Sequence, residues 1–400
     1  MKLAVLSSWY PAPPANGSKL RAWHLLRELA RRHDVTLLTF AEPGEADAPE
    51  SAELRTMCRE VRVVPGNPHK PEAPLSWRAY FARVPRSYAQ TFSPAMAAHV
   101  SSVAATVDAI VALQVGTAMY LETCPEVPGI FDEAEISTIR DAASQAAGPV
   151  DRWRRGLTWR KYAAFTNRLV ASARHTTVVS EQERECLGAA GCDLSKVSVV
   201  TNGVAAEHLT VDVAKRSDTL IYSGSITYAP NLDAVSLMVS DILPMILARR
   251  PDVAFTVTGS HRGVPVDHLA GPGVTFAGFV PDIVTTVAST AVCVVPLRRG
   301  GGTRLKILEA MALGTPVVST RKGAEGLDVE DGVHLLLADE PEAFARCVLQ
   351  LLEQPAQARA MAARARALVA ECYTWPRLGG ALNDIIEEAV DTARGRRRSA

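Results

Sequence analysis

Short apolar runs of strand length alternate with helical patterns along nearly all of this 400-residue chain, and the alternation starts afresh half-way. Residues 3–6 read as a buried strand closed by a loop at 9–17. Leu20, Trp23, Leu26 and Ala30, with Leu25 and Leu29 one position round, then mark a helical face. Residues 35–40, 109–113, 130–131, 176–179 and 197–200 repeat the strand signal. After the turn pair Asn202-Gly203 the same grammar resumes, with strands at 220–222, 253–257, 292–295 and 316–318 and a helical pattern over 232–247. Strand–helix alternation of this kind implies a parallel sheet with helices on both faces. Two such runs predict two α/β domains with a hinge near 200–206.

Composition narrows the class. The chain is 48% hydrophobic and 22% charged, which excludes disorder, a fibre or a membrane bundle. Lys+Arg and Asp+Glu both total 43, so no global field recruits nucleic acid. The seven cysteines contain no C-x-x-C pair and fit scattered buried thiols in a reducing compartment. Residues 1–6 are too short for a signal-peptide core, and the apolar runs have strand length rather than the ~20 residues of a spanning helix. A cytoplasmic protein is the expectation.

The chemistry concentrates in Gly300-Gly301-Gly302-Thr303-Arg304-Leu305-Lys306, where a strand ends in glycines and runs into a helix. Free N–H groups at a helix start make an anion site, and successive glycines let a diphosphate approach the backbone. Arg304 and Lys306 add fixed positive charge suited to a phosphate leaving group. Glu309 lies about 9 Å beyond the expected cap Thr303, the distance from a diphosphate to a ribose whose hydroxyls a carboxylate accepts. From the residues alone a packing turn with solvated cations stays open. No G-x-G-x-x-G opens a helix, and no P-loop, D-x-D or H-E-x-x-H is present, so neither a metal nor a cofactor is expected.

These residues resemble the donor-site signature of family 4 retaining glycosyltransferases, whose GT-B architecture sets two Rossmann-like domains about an interdomain cleft. The likeness extends over Tyr222-Ser223-Gly224-Ser225 with Pro230-Asn231, Val257-Thr258-Gly259-Ser260, Gly278-Phe279-Val280-Pro281-Asp282, the 300–318 block and Gly323-Ala324-Glu325-Gly326-Leu327. It implies an acceptor domain at 1–203, a nucleotide-sugar domain at 204–372, a helix at 373–392 returning to the first domain, and a basic tail at 393–400, whose residues 394–398 read from their composition as disordered. By the same resemblance Glu309 binds the ribose, Gly301, Gly302 and Thr303 meet the diphosphate and sugar, Gly224 and Ser225 form the first donor loop, and Gly278, Phe279 and Val280 read the base. Gly17 and Ser18 reach the donor phosphates, while Asn16 and Arg21 meet the acceptor. Two departures stand out: Gly301 occupies the place of the first glutamate of E-x7-E, and Ala134 in Phe131-Asp132-Glu133-Ala134-Glu135 the place of a histidine. Asp132 or Glu135 then takes over the polar work, or activity is altered.

The implied reaction is front-face transfer from a nucleotide-diphosphate sugar, with retention, to a carbohydrate, lipid-linked or small-molecule acceptor. Asp132, Glu135, Arg304 and Lys306 are the candidate catalytic groups, acting by positioning and electrostatics. A nucleotide-sugar epimerase and a catalytically weak sugar-nucleotide-binding subunit are the alternatives. The stretch 151–162 mixes cations with Trp153, Trp159 and Tyr162, a composition for peripheral contact with the inner membrane face or for a helix with a solvated basic side.

Overall fold

The computed structural model describes every residue except 15, 48, 50, 69–83, 90, 302, 303 and 400, and only the backbone of 396–399. The chain divides into one unit of Met1–Thr201 with Trp375–Ala400 and a second of Asn202–Thr374. The boundary therefore falls at Thr201, two residues before the expected position, and the chain returns to the first unit at Trp375.

The first unit is a seven-stranded parallel sheet of β1 (Lys2–Ser7), β2 (Asp34–Ala41), β3 (Glu60–Pro65), β4 (Ala109–Leu113), β5 (Gly129–Asp132), β6 (His175–Val178) and β7 (Val197–Val199). Their order is β3-β2-β1-β4-β5-β6-β7, which reverses direction between β1 and β4. Both faces are covered. Ala4 and Leu6 enter one core cluster while Leu3 and Val5, of opposite parity on β1, enter the other. Leu3 registers with Val35 on one side and Ala109 on the other.

The helix Trp375–Ser399 closes the second of those faces. Trp375, Leu378, Leu382, Ile386, Ala389 and Val390 recur at helical spacing and are all buried in the same cluster as β1. The Trp375 ring stacks on His24 of the helix Gly17–Ala30 at 5.1 Å and 7°. The helix runs through 394–398, the stretch expected from composition to be disordered, and Arg394 pairs with Asp108 at 2.5 Å.

The second unit carries a six-stranded parallel sheet of β8 (Arg216–Ser223), β9 (Ala254–Thr258), β10 (Val274–Gly278), β11 (Thr290–Val295), β12 (Val317–Ser319) and β13 (Leu336–Leu337), ordered β10-β9-β8-β11-β12-β13. The sequence pattern missed β3, β10 and the two-residue β13. All three are sheet edges, β3 and β10 with half-solvated sides and β13 only two residues long, so none carries the continuous apolar run of a central strand.

The helical stretch Ala229–Leu247 is, among the described residues, long and apolar enough by length and composition to cross a membrane, contrary to the expectation from the sequence. Here Val235, Met238, Ile242 and Ile246 lie buried in the core of the second unit. A π-helical turn at Met238–Ile242 precedes Pro244, whose missing N–H an unbroken α-helix would not accommodate. All seven cysteines are free, five of them buried.

Close approach of the last helix to the first sets a test. A Cβ on Gly379 would lie 2.3 Å from Glu28 Cβ. Gly379→Ala is expected to lower stability by about 1–3 kcal/mol through overpacking, read as a reduced urea midpoint with an unchanged slope; an unchanged midpoint would show that the two helices do not pack this closely.

Candidate active site

Ligands of open α/β sheets bind beyond the carboxyl ends of the strands, and in both units the candidate residues gather there. In the second unit β8 ends in Tyr222-Ser223, Gly224 follows with φ +144°, and Ser225 comes next. From the helix Leu305–Ala312, Lys306 Nζ donates to Tyr222 Oη at 2.8 Å and Asn231 Oδ1 at 3.1 Å, and lies 4.0 Å from the Tyr222 ring centroid. Tyr222 Oη in turn donates to Asn231 Oδ1 (2.6 Å), and Asn231 Nδ2 donates to the Ser225 carbonyl (2.7 Å). A Cβ on Gly224 would stand 2.8 Å from Lys306 Nζ, so only glycine leaves this approach to the ammonium open. Burial first of all, with Arg304 adding to it, pulls Lys306 down to about 7.

Glu309 is one turn further along the same helix face as Lys306, and is half-buried. Burial pushes its carboxyl up to about 7 against the opposing pull of Lys306. Two expectations for this segment change. The helix cap is Arg304, without a side-chain bond, so Glu309 stands about 7.5 Å beyond the cap rather than 9 Å. Arg304 is buried and spends its guanidinium on the loop, donating to the carbonyls of Gly301 (2.8 Å) and Gly300 (2.6 Å). It folds the glycine turn instead of presenting charge outward. Gly302 and Thr303 lie outside the described residues.

The rest of that rim is built by backbone proximity. Gly259, at φ +96°, would place a Cβ 2.6 Å from Gly224 C and Ser225 N, and its own N–H donates to the Gly278 carbonyl at 2.7 Å. Ser225 Oγ donates to the Ser260 carbonyl (2.9 Å). Gly278 has φ +65°, Val280 is half-buried, and Phe279 is 85% exposed beside them.

In the first unit Asn16 caps the helix Gly17–Ala30, its Oδ1 accepting from Lys19 N at 3.0 Å, with Gly17 exposed and Ser18 half-buried in the first turn. Arg21 and Asp132 do not take the outward roles expected of them. Arg21 Nε and Nη2 grip Asp132 Oδ2 and Oδ1 at 2.8 and 2.6 Å, Thr177 Oγ1 donates to Oδ1 at 2.5 Å, and Arg21 Nη1 donates to the Thr201 carbonyl at 2.9 Å. Both side chains are buried, so the pair positions the ends of β5 and β6 and is turned inward.

Ala134 is fully buried with its N–H on the Thr177 carbonyl, so its side chain belongs to the core. The residues on either side of it carry the polar groups. Glu135 is exposed. Glu133, which the sequence reading passed over, holds φ +61° and is half-buried. Burial, against the pull of Arg21 and helped by Asp132 and Glu135, raises its carboxyl to about 7, and it is hydrogen-bonded by Gln114. Gln114, just past β4, has φ 73° and ψ 160°, a region glycine alone occupies without strain. Two adjacent strand ends next to the reversal of strand order thus carry non-glycine residues at positive φ. No side-chain type signals this in a sequence. Beyond them, Glu183 anchors the following helix, accepting from Ile136 N (2.9 Å) and Ser137 N (3.0 Å).

With this geometry in place, the matches to known proteins fall on both units. A family model described as Glycosyltransferase Family 4 matches residues 15–208, and one described as Glycosyl transferases group 1 matches 217–354. The chain belongs to the group 1, family 4 glycosyltransferases. It is 28% identical over 158 residues to a GDP-mannose-dependent phosphatidylinositol monomannoside mannosyltransferase of Corynebacterium glutamicum, covering 36% of this chain and 42% of that one. It is 35% identical over 97 residues to the D-inositol 3-phosphate glycosyltransferase of Streptomyces avermitilis, covering 24% and 21%. The match therefore spans less than half the length of these curated relatives. Among solved structures, sucrose-phosphate synthase of Thermosynechococcus elongatus superposes with a TM-score of 0.73 at 17% identity, covering 98% of this chain and 99% of that one. Anabaena HepE in complex with UDP-glucose gives 0.66 at 17% identity, covering 97% and 100%. These likenesses show the GT-B fold of two Rossmann-like domains.

The backbone at Gln114 gives a direct check. Elsewhere alanine is more stable than glycine; here Gln114→Gly is expected to exceed Gln114→Ala by about 1 kcal/mol, since both lose the side chain and only one keeps the strain. Chemical denaturation of the two variants reads the order, and alanine above glycine would contradict it.

Proposed function

We propose that this protein transfers a hexosyl group from a nucleotide-diphosphate sugar to a hydroxyl of an acceptor, with retention of anomeric configuration. One observation carries the reading: a half-buried lysine ammonium held by Tyr222 and Asn231 beneath a bare glycine loop, with a carboxylate one turn further along its helix. That is a cation for a diphosphate and a hydrogen-bond acceptor for a ribose on one rigid element.

In this reading the donor's anomeric C–O bond breaks toward the diphosphate, whose growing charge Lys306 and the peptide amides of the glycine loop stabilise. The acceptor oxygen attacks from the same side, and its proton passes to the departing phosphate oxygen. No protein nucleophile and no metal ion is required, because the chain supplies the cation itself. Asp132 and Arg21 act at one remove, fixing the strand ends on which Glu133 and Glu135 stand.

Glu309→Ala is expected to weaken nucleotide-sugar binding tenfold or more, the loss of hydrogen bonds to a charged group worth about 1.5–3 kcal/mol, while leaving the fold intact. Calorimetric titration with the nucleotide sugar that most raises the wild-type melting temperature measures it; equal affinities would remove the ribose assignment. Acceptor-dependent release of nucleotide then separates transfer from epimerisation and from binding alone.

We further propose that the protein meets a lipid-linked acceptor at an anionic membrane surface. On the helix Pro149–Ser172, Val150, Trp153 and Leu157 form one exposed stripe, being 77%, 71% and 43% exposed at helical spacing. Arg152, Arg154 and Arg160 are exposed on the same segment, while Arg155 is tied to Asp151 at 2.9 Å. An apolar stripe flanked by arginines suits the interface of a bilayer carrying anionic lipid. Vesicles containing phosphatidylglycerol should sediment the wild type and lose a Trp153→Ala/Arg152→Ala/Arg154→Ala variant at low salt. Equal recovery at every salt concentration would end this part of the proposal.

A further inference from the structure

A cavity of about 240 Å³ opens in the first unit at the carboxyl ends of β1, β2 and β3. Neither member of the Arg21–Asp132 pair lines it, whereas Asn16, which the sequence resemblance assigns to the acceptor, does. Ser8 and Trp9 come from the loop after β1, Lys19 from the helix that follows, Glu42 and Glu45 from the segment after β2, and Asn67 from the segment after β3.

Three features mark it as built for a ligand. First, Ser8 is 1% exposed, lines the cavity, and its Oγ has no hydrogen-bond partner among the described residues. A buried hydroxyl left in that state costs stability unless something binds it. Second, the polar groups are held in place. Lys19 Nζ pairs with Glu45 Oε1 at 2.7 Å, Asn67 Nδ2 donates to Glu42 Oε1 at 2.8 Å, and Glu42 N donates to Glu45 Oε2 at 2.8 Å. The Trp9 carbonyl accepts from Ser7 Oγ (2.6 Å) and Thr39 Oγ1 (3.0 Å), which fixes the backbone that carries the indole. Third, the charge has a sign. Two carboxylates face one ammonium, so these lining residues sum to one negative charge. That disfavours a phosphate or diphosphate group and favours a neutral ligand rich in hydroxyls, whose protons carboxylates accept and whose oxygens an ammonium and an amide satisfy. The volume is below the range of pockets for drug-sized ligands, so it holds one ring rather than a nucleotide.

We infer that this cavity is a subsite for one uncharged monosaccharide ring of the acceptor, held by Ser8, Lys19, Glu42, Glu45 and Asn67 against the Trp9 indole. The assignment of that ring as acceptor rests on the transferase reading; the binding itself does not.

Saturation-transfer NMR and calorimetry on the full chain test it, using the methyl glycosides of glucose, galactose, mannose and N-acetylglucosamine, with glucose 6-phosphate as the anionic comparison. At least one glycoside is expected to bind, and more tightly than the phosphate. Ser8→Ala should weaken that glycoside about three- to tenfold, the loss of one hydrogen bond, without lowering the melting temperature, since the hydroxyl has no partner in the free fold. Asn67→Ala should weaken it similarly. No bound glycoside, tighter binding of the phosphate, or unchanged affinity in both variants would overturn the inference. Glycoside binding without any donor-dependent transfer would uphold the subsite and remove the transferase reading; transfer with none of the glycosides bound would do the reverse.

Discussion

A half-buried lysine ammonium, bonded to a tyrosine hydroxyl and an amide oxygen and set over an aromatic face, is the constraint that organises the second unit. Its three N–H donors meet two acceptors, Tyr222 Oη and Asn231 Oδ1, and no third among the described residues. Such a charge is expensive to keep, and burial answers by loosening its proton. The surrounding sequence makes sense as scaffolding for it. Gly224 leaves open the approach a Cβ would take, Gly259 lets the next strand end press against that loop, and Arg304 ties down the glycine turn through its carbonyls. A diphosphate would add its negative charge to that of Glu309, one turn further along the helix.

The first unit handles charge in the opposite way. Arg21 and Asp132 form a buried ion pair, to which Thr177 and the Thr201 carbonyl add hydrogen bonds. Removing one partner of such a pair would strand the other in the core, so the pair reads as architecture. Strain is stored beside it at Gln114 and Glu133, where β4 and β5 end. Strain in this position is a common mark of a working site.

How much of this was legible in the sequence follows from where each signal resides. Runs such as 3–6, 109–113 and 292–295 announce central strands because both faces are buried, and two copies of the alternation announce two sheets. Edge strands β3 and β10, solvated on one side, leave no such run. Lys306 and Glu309 were readable because helical spacing of three puts them on one face after a glycine turn. The inward turn of Arg21 was not, since its partner lies 111 positions away and nothing local records the meeting. Arg304 misled for a related reason: a cation beside glycines suggests a phosphate, yet carbonyls freed by the same turn are also acceptors. Positive φ at Gln114 and Glu133 is a property of the backbone that these side chains do not advertise.

The central claim is that Lys306 waits, largely neutral above pH 7, for an anionic ligand. Calorimetric titration of the protein with a nucleotide sugar at pH 8, repeated in buffers of different ionisation enthalpy, counts the protons exchanged. With Lys306 pulled down to about 7 it is mostly neutral at pH 8, while Glu309, pushed up to about 7, is already mostly ionised. Binding a diphosphate beside the amine should therefore draw in close to one proton, and Lys306→Gln should abolish that uptake. Zero uptake or net release by the wild type, with the nucleotide sugar bound, would contradict the account.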